Sequence, residues 1–350
     1  MRRVCALPLL LCLLLLAGCD RREPLAPGQE RPDTREAAIT GQMVEAIEAI
    51  SLARDPGGTL HRFNQVKGLA CLEATFSVPP DLPPQRARGL FARPGDYPAT
   101  LRLARASEWD DRDKDFHGLS LKVRGVAGDP LWGRPGEQDF LLNSHPALFA
   151  ANPGDFLDFI RATRDGAIWR YLANPSHWYS LPILLRGRQV IDNPLAITYW
   201  STTPYRFGDE GTAVKYSVRP CDGVQFAAGA RDQADFLADA VAQTLADGPA
   251  CLRFMVQFQG DPRAMPVENA SVTWPEEASP FLPVAELRIP PQDFRAPARR
   301  SACEAMAFNP WQSLPEHRPL GGINRVRKAV YAELARFRAA TNARRGKGEN

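Results

Sequence analysis

The residues best placed to do chemistry lie near the C-terminus. Arg327 and Tyr331 stand four apart in a stretch of helical character, so their side chains lie one above the other on a single face. A guanidinium held against a phenol favours the phenolate, the form of tyrosine that binds ferric iron. Arg336, five residues beyond Tyr331, adds a second cation to the same run. Other reaction classes have no footing here: there is no phosphate-binding glycine loop, no dinucleotide fingerprint and no nucleophilic triad motif. Cys71, Cys221, Cys251 and Cys303 lack the close spacing of a zinc or redox site. They pair in an order the sequence does not give, or stay as buried thiols. A net charge of +3, without a basic stripe interleaved with aromatics, gives no footing for nucleic acid.

These side chains need a scaffold, and 350 residues at 44% hydrophobic can bury one large core. Apolar and polar residues alternate over 70–78 and 252–258, as half-buried antiparallel strands require, and shorter alternations fall at 119–123 and 214–218. Ile39, Met43, Ile47 and Ile50 recur at helical spacing, and further helices are expected over 156–162, 234–245 and 323–337. Strands followed by helices predict an α+β fold built on an antiparallel sheet or barrel.

Several segments, taken in order, resemble the catalase family. The Arg327, Tyr331, Arg336 spacing is similar to that around the haem-ligating tyrosine of catalases. The run from Gln138 to Pro146 resembles their distal segment and puts Asn143 at the distal asparagine. Phe156 resembles the aromatic lying over the porphyrin. Leu101, Arg102 and Leu103, then Phe116 to Lys122, Tyr199 to Val218, Val272 to Pro275 and Ala305 to Pro310 follow in family order, so the resemblance spans about residues 62–338. It implies an antiparallel catalase-type β-barrel with surrounding helices. It also implies haem b with iron on Tyr331, and Arg62, Arg102 and Arg336 as partners of the haem propionates.

One departure bears on catalysis. Where the family places its distal histidine, this chain has Gln65, in Arg62, Phe63, Asn64, Gln65, Val66, Lys67, Gly68; Ala104 stands where a serine usually orients that histidine. A carboxamide has no useful basicity near neutral pH, and losing a general acid-base typically costs about 10² to 10⁴ in rate. His61 would lie roughly 13 Å from Gln65 in an extended chain, too far to substitute. His117, His145, His177 and His317 are expected to be structural or exposed.

The N-terminus reads as an export signal. Arg2 and Arg3 precede an apolar stretch over 9–16 that is too short to span a bilayer, and Leu16, Ala17, Gly18 and Cys19 look like a lipobox with Cys19 as the acylated residue. Residues 19–36 are expected to be a solvated tether, 37–340 the haem-binding domain and 341–350 a basic tail. The resemblance therefore predicts a lipid-anchored, extracytoplasmic haem protein acting on hydrogen peroxide or on organic and lipid hydroperoxides, with catalysis altered at Gln65 and Asn143. A non-catalytic haem-binding or sensing lipoprotein is the second expectation. Arms and extensions that build larger catalase assemblies are not matched, so nothing larger than a homodimer is expected.

Overall fold

The computed structural model describes residues 25–348; the signal sequence and Cys19 lie outside the described residues. The architecture is the expected one, a closed antiparallel barrel with helices around it. Strands β1 (Lys67–Val78), β2 (Gly95–Arg105), β3 (His117–Arg124) and β4 (Glu137–Asn143) form a meander. After helices α1 (Glu36–Arg54), which precedes the meander, and α2 (Pro153–Arg164), α3 (Ile168–Ala173) and α4 (Ser180–Gly187), which follow it, come β5 (Tyr199–Trp200), β6 (Tyr205–Phe207) and β7 (Asp209–Pro220). Helix α5 (Phe236–Asp247) leads to β8 (Ala250–Phe258) and β9 (Leu282–Ile289), and α6 (Pro297–Ala305) and α7 (Gly322–Gly348) complete the chain. Pairing of β5 with both β4 and β7, and of β9 with β1, closes a ring of eight strands, and β6 hangs on the edge of β7.

Alternation fills the barrel. On β1, Leu72, Ala74, Phe76 and Val78 are buried while Glu73 is exposed, and an irregularity between Gly68 and Ala70 resets the register at the strand's start. Phe254 is the hub of the interior: the rings of Phe140, Phe76, Tyr216 and Phe91 lie 4.7, 5.4, 5.4 and 5.8 Å from it. An eight-stranded barrel is just wide enough to be filled in this way by side chains. A second core lies outside the barrel, where Met43, Ala46 and Ile47 of α1 meet Leu157 and Ile160 of α2 and Val326 and Val330 of α7. The four cysteines pair as Cys71–Cys303, joining β1 to α6, and Cys221–Cys251.

Two terminal expectations need correcting. Residues 25–35 are docked on the body and are not a solvated tether. The Gly28 N–H donates to Gln259 Oε1 at 2.8 Å, the Arg31 N–H to Glu268 Oε1 at 2.7 Å, and Glu30 pairs with Arg318 and Arg325. The charged composition that suggested solvation supplies the anions that compensate arginines at the start of α7. At the other end the helix runs through most of the expected basic tail: the Leu60 N–H donates to Asn342 Oδ1 at 2.7 Å, and Arg345 donates to the Gly58 carbonyl. The tail thus fixes the loop that leads into Arg62.

His317, which the sequence left without a role, is fully buried among Phe91, Phe207 and Tyr216, accepting from the Leu90 N–H at 3.1 Å and facing the Tyr216 hydroxyl at 3.2 Å. Burial pushes its pKa down to about 3. The unfolded chain therefore takes up this proton first, near pH 6.5, and stability present above that pH is lost as pH falls towards 3. At about 1.4 kcal/mol per unit the loss reaches about 3–5 kcal/mol near pH 3.5. Chemical unfolding across this range should show the decline in the wild type and a flatter profile in His317→Gln; an equally steep profile in the variant would remove His317 as its cause.

Candidate functional site

One row of residues crosses five strands. Gly68 on β1 is opposite Ala104 on β2, Ala104 opposite Gly118 on β3, Gly118 opposite Asn143 on β4, and Asn143 opposite Trp200 on β5. Directly opposed residues in antiparallel strands point to the same face. The row is therefore a shallow floor, bare at three successive strands and ending in an amide and an indole. Gln65 lies over it: a Cβ on Gly118 would fall 2.1 Å from Gln65 Oε1, so only glycine fits there. Gly118 and Asn143 are paired across the strands, about 5 Å apart, so Asn143 borders the position that Gln65 covers. Gln65 adopts a left-handed backbone at φ 62°, which a non-glycine residue takes up only when its surroundings hold it there. Its N–H donates to Ala106 O and Asn64 Oδ1, and its carbonyl accepts from Arg102. Gln65 Oε1, Asn143 Oδ1 and Trp200 Nε1 are buried and lack a hydrogen-bond partner among the described residues. An unpaired buried polar atom costs free energy, so each of the three is open to a further hydrogen bond.

Beside this floor stands a knot of positive charge. Arg62 Nη1 meets Glu304 Oε2 at 2.5 Å and Nη2 donates to the carbonyls of Met306 and Cys303; Arg102 Nη2 meets Glu304 Oε1 at 3.1 Å, and Arg102 Nε has no partner among the described residues. Gly68 lets Glu304 approach, since a Cβ there would lie 2.9 Å from its Oε1. Arg338 Nη2 reaches the Met306 carbonyl at 3.4 Å and adds its charge to the same group. Two guanidiniums thus pair with one carboxylate, and Arg338 adds a third positive charge to its surroundings. Burial, then the charge of Arg102 and Arg338, lowers the pKa of Arg62 to about 9. Burial likewise lowers Arg102 and Arg338. Burial alone would raise Glu304, but the surrounding guanidiniums reverse this and hold it below its ordinary value.

The third part is on α7. Arg327 Nη2 donates to the Tyr331 hydroxyl at 3.1 Å and Nη1 to Asn324 Oδ1 at 3.1 Å, so the expected pair is formed. Burial disfavours the charged guanidinium, yet the phenols of Tyr331 and Tyr205 facing it raise its pKa overall. Tyr331 borders the same outer core as Phe63, Phe156 and Phe159. Phe63 is two residues before Gln65, and Phe156 packs against Phe149 and Phe159 at 5.7 and 6.4 Å. Tyr331, Phe63, Phe156 and Phe159 thus all pack against the outer core formed by α1, α2 and α7.

No protein-family model matches the chain, and no curated protein sequence matches it. Solved structures do. A fungal catalase solved at 1.9 Å superposes with a TM-score of 0.64 at 16% identity, covering 90% of this chain and 66% of its own. Catalase A from Saccharomyces cerevisiae gives 0.62 at 16% identity, over 90% and 68%. A bacterial catalase gives 0.59 at 16%, over 91% and 64%. The chain has the catalase fold. It spans about two thirds of the length of those catalases.

Within this catalase fold, Arg336 does not join the site. It is 71% exposed and pairs with Glu333. Helix geometry gives the reason: at about 100° per residue a step of five turns the side chain some 140° away from Tyr331, whereas a step of seven returns it to within about 20°. Arg338, seven residues on, is accordingly the arginine that reaches Arg62 and Arg102. The spacing could have shown this, whereas nothing in the sequence marks Glu304 as the central anion. The histidines lie away from the carboxamides or serve structure. His61 packs edge-on against Trp109 at 5.0 Å, His117 contacts the Gln189 carbonyl, His145 accepts from the Ala147 N–H, and His177 stacks on Tyr171.

Removing the shared carboxylate should be felt at once. Glu304→Ala leaves three clustered guanidiniums without an anion, and because Glu304 is 41% exposed the expected cost is moderate, about 1–2 kcal/mol. Urea unfolding measures it, and Arg338→Ala in the same background should restore part of the loss by removing one of the repelling charges. Additive losses would show that Arg338 stands apart from the cluster.

Proposed function

We propose that this protein binds haem b, with iron on Tyr331, and acts on hydrogen peroxide or organic hydroperoxides. The observation that carries the reading is the coincidence of three features. They are a phenol bonded to a guanidinium, a row of glycine and alanine bordered by unpartnered carboxamides, and a cation cluster with one anion for three guanidiniums. Each suits a different part of haem: the iron, the flat macrocycle and the carboxylates. Arg327 would hold the Tyr331 phenolate, and Arg62, Arg102 and Arg338 would take the propionates. Bound haem would supply a redox-active iron for breaking a peroxide bond.

The chain's own groups define the rest. Gln65 Oε1 and Asn143 Oδ1 are free to accept the O–H of a hydroperoxide, and their N–H groups to donate to its oxygens, but neither carboxamide can take up a proton and return it. Ala104, opposite Gly118, offers no hydroxyl to orient a base. Proton movement is then left to water or substrate, which makes rapid dismutation the least supported part of the activity. Phe63, Phe149, Phe156 and Phe159 give the approach an apolar character that suits a hydroperoxide carrying a hydrocarbon body. Gln65 is also the observation that favours the second reading, a haem-binding or sensing protein without turnover.

The expected setting is outside the cytoplasm, anchored through Cys19. Two disulfides support an oxidising compartment.

Haem titration of the purified protein should give a high-spin ferric spectrum that is lost or shifted in Tyr331→Phe; a spectrum indifferent to that change would sink the proximal assignment. Oxygen release from hydrogen peroxide should be weak in the wild type and rise by about 10² or more in Gln65→His, which restores a base over the same floor. If neither protein consumes hydrogen peroxide or an alkyl hydroperoxide while both bind haem, the non-catalytic reading takes its place.

A further inference from the structure

Seven large apolar side chains are exposed among the described residues, and four of them fall between Ile168 and Leu185: Ile168 (41%), Trp169 (64%), Trp178 (57%) and Leu185 (76%). They are mounted on a packed support. Beneath them Tyr171 is buried and stacks on His177 at 4.1 Å and against Phe159 at 5.5 Å. The Tyr179 hydroxyl donates to Asp155 at 2.6 Å and accepts from the Ala151 N–H, and Ser180 Oγ donates to the His177 carbonyl. The Trp178 indole donates to Leu172 O at 3.1 Å, at the far end of α3 from Trp169. As α3 is six residues long, about 9 Å, the two indoles sit within a few turns of each other. Four large exposed apolar side chains within one short stretch of chain, on an ordered support, mark an interaction surface.

Charge says what covers it. Arg170 lies over the Trp169 ring at 5.5 Å, and neither Arg170 nor Arg186 has an ion-pair partner among the described residues. Arg161, Arg164 and Arg188 nearby are paired with Asp158, Asp165 and Glu108. A tryptophan with an unpaired arginine over its ring, and a second unpaired arginine next to Leu185 in the chain, match the boundary of a bilayer, where the indole sits at headgroup level and the guanidinium meets phosphate. The four side chains offer on the order of 400–500 Å², short of the roughly 800 Å² per partner of a standard protein interface. We propose that the face formed by α3, the turn after it and α4 rests on an anionic lipid bilayer. This deepens the membrane reading above and is separable from it. If Cys19 is acylated, five residues separate it from Leu25, a reach of roughly 20 Å, which keeps the body against the surface.

The test uses the mature chain carrying Cys19→Ser, so that no acyl group contributes. It is mixed with vesicles of phosphatidylcholine alone and of three parts phosphatidylcholine to one part phosphatidylglycerol. Flotation with the anionic vesicles and a blue shift of tryptophan emission are expected. Trp169→Ser with Trp178→Ser should weaken partition about tenfold or more. Arg170→Gln with Arg186→Gln should weaken it about 25-fold, at roughly fivefold per arginine. All four positions are on the surface, and the melting of each double beside the parent separates lost partition from lost fold. A parent that stays in the buffer with every vesicle, or doubles that float as well as it does, overturns the proposal. So does a concentration-dependent dimer that the tryptophan double dissolves without any vesicle binding, which would give the face to a second copy. Flotation of the Cys19 form alone would leave the anchor reading standing and this one refuted.

Discussion

The constraint on which most of this structure turns is the crowding of Arg62, Arg102 and Arg338 around one carboxylate. Like charges are held together below the surface only where backbone and covalent bonds leave them no alternative. Each element nearby helps to do this. The Cys71–Cys303 bond fixes α6 against β1 and so places Glu304, its next residue, between the guanidiniums. Gly68 gives the carboxylate room. Carbonyls of Cys303 and Met306 absorb the remaining Arg62 donors, and α7 must run on past Tyr331 for Arg338 to arrive. A protein that needed only stability would gain more from an apolar cluster in the same space. The excess of positive charge is what the anionic groups of the proposed ligand would neutralise.

The same helix ties this cluster to the proposed ligand. Arg325 at its start binds Glu30, Glu36 and Glu268, Tyr331 lies at its middle, Arg338 is two turns on, and Asn342 and Arg345 hold the loop before Arg62. One rigid element thus sets the phenol, one wall of the cation cluster and the approach to Gln65. The docked N-terminal segment belongs to that arrangement because it supplies the anions at the helix start.

Legibility in the sequence followed burial. Strands with one face in the barrel and the other partly exposed, such as β1 and β8, alternate plainly and could be read directly. Over β2 both faces are covered, with Arg102 and Ala104 buried beside Leu101 and Leu103, so the period-two signal is masked and only resemblance located it. Arg327 with Tyr331 was readable because a four-residue step is the strongest helical neighbour relation. Arg336 was misplaced because sequence distance was counted where helical angle decides. Glu304 was invisible because its role depends on a disulfide partner 232 residues away in the chain. The described part of the tether, 25–35, was misread because charged and proline-rich composition fits an extended strap as well as a solvated linker.

The floor between Gln65 and Asn143 shows what has changed and what has been kept. A strained backbone at Gln65, a bare Gly118 beneath its amide and buried carboxamide oxygens without partners all cost stability, by about 1–3 kcal/mol each on general grounds. A pocket released from ligand binding would be free to lose those features, through a side chain at Gly118 or a relaxed turn before β1. Their joint presence holds the Gln65 amide in one place over Gly118. The proton-handling groups are the ones missing, at Gln65 and Ala104. The altered proton chemistry thus falls at two positions of one row, Gln65 above it and Ala104 within it.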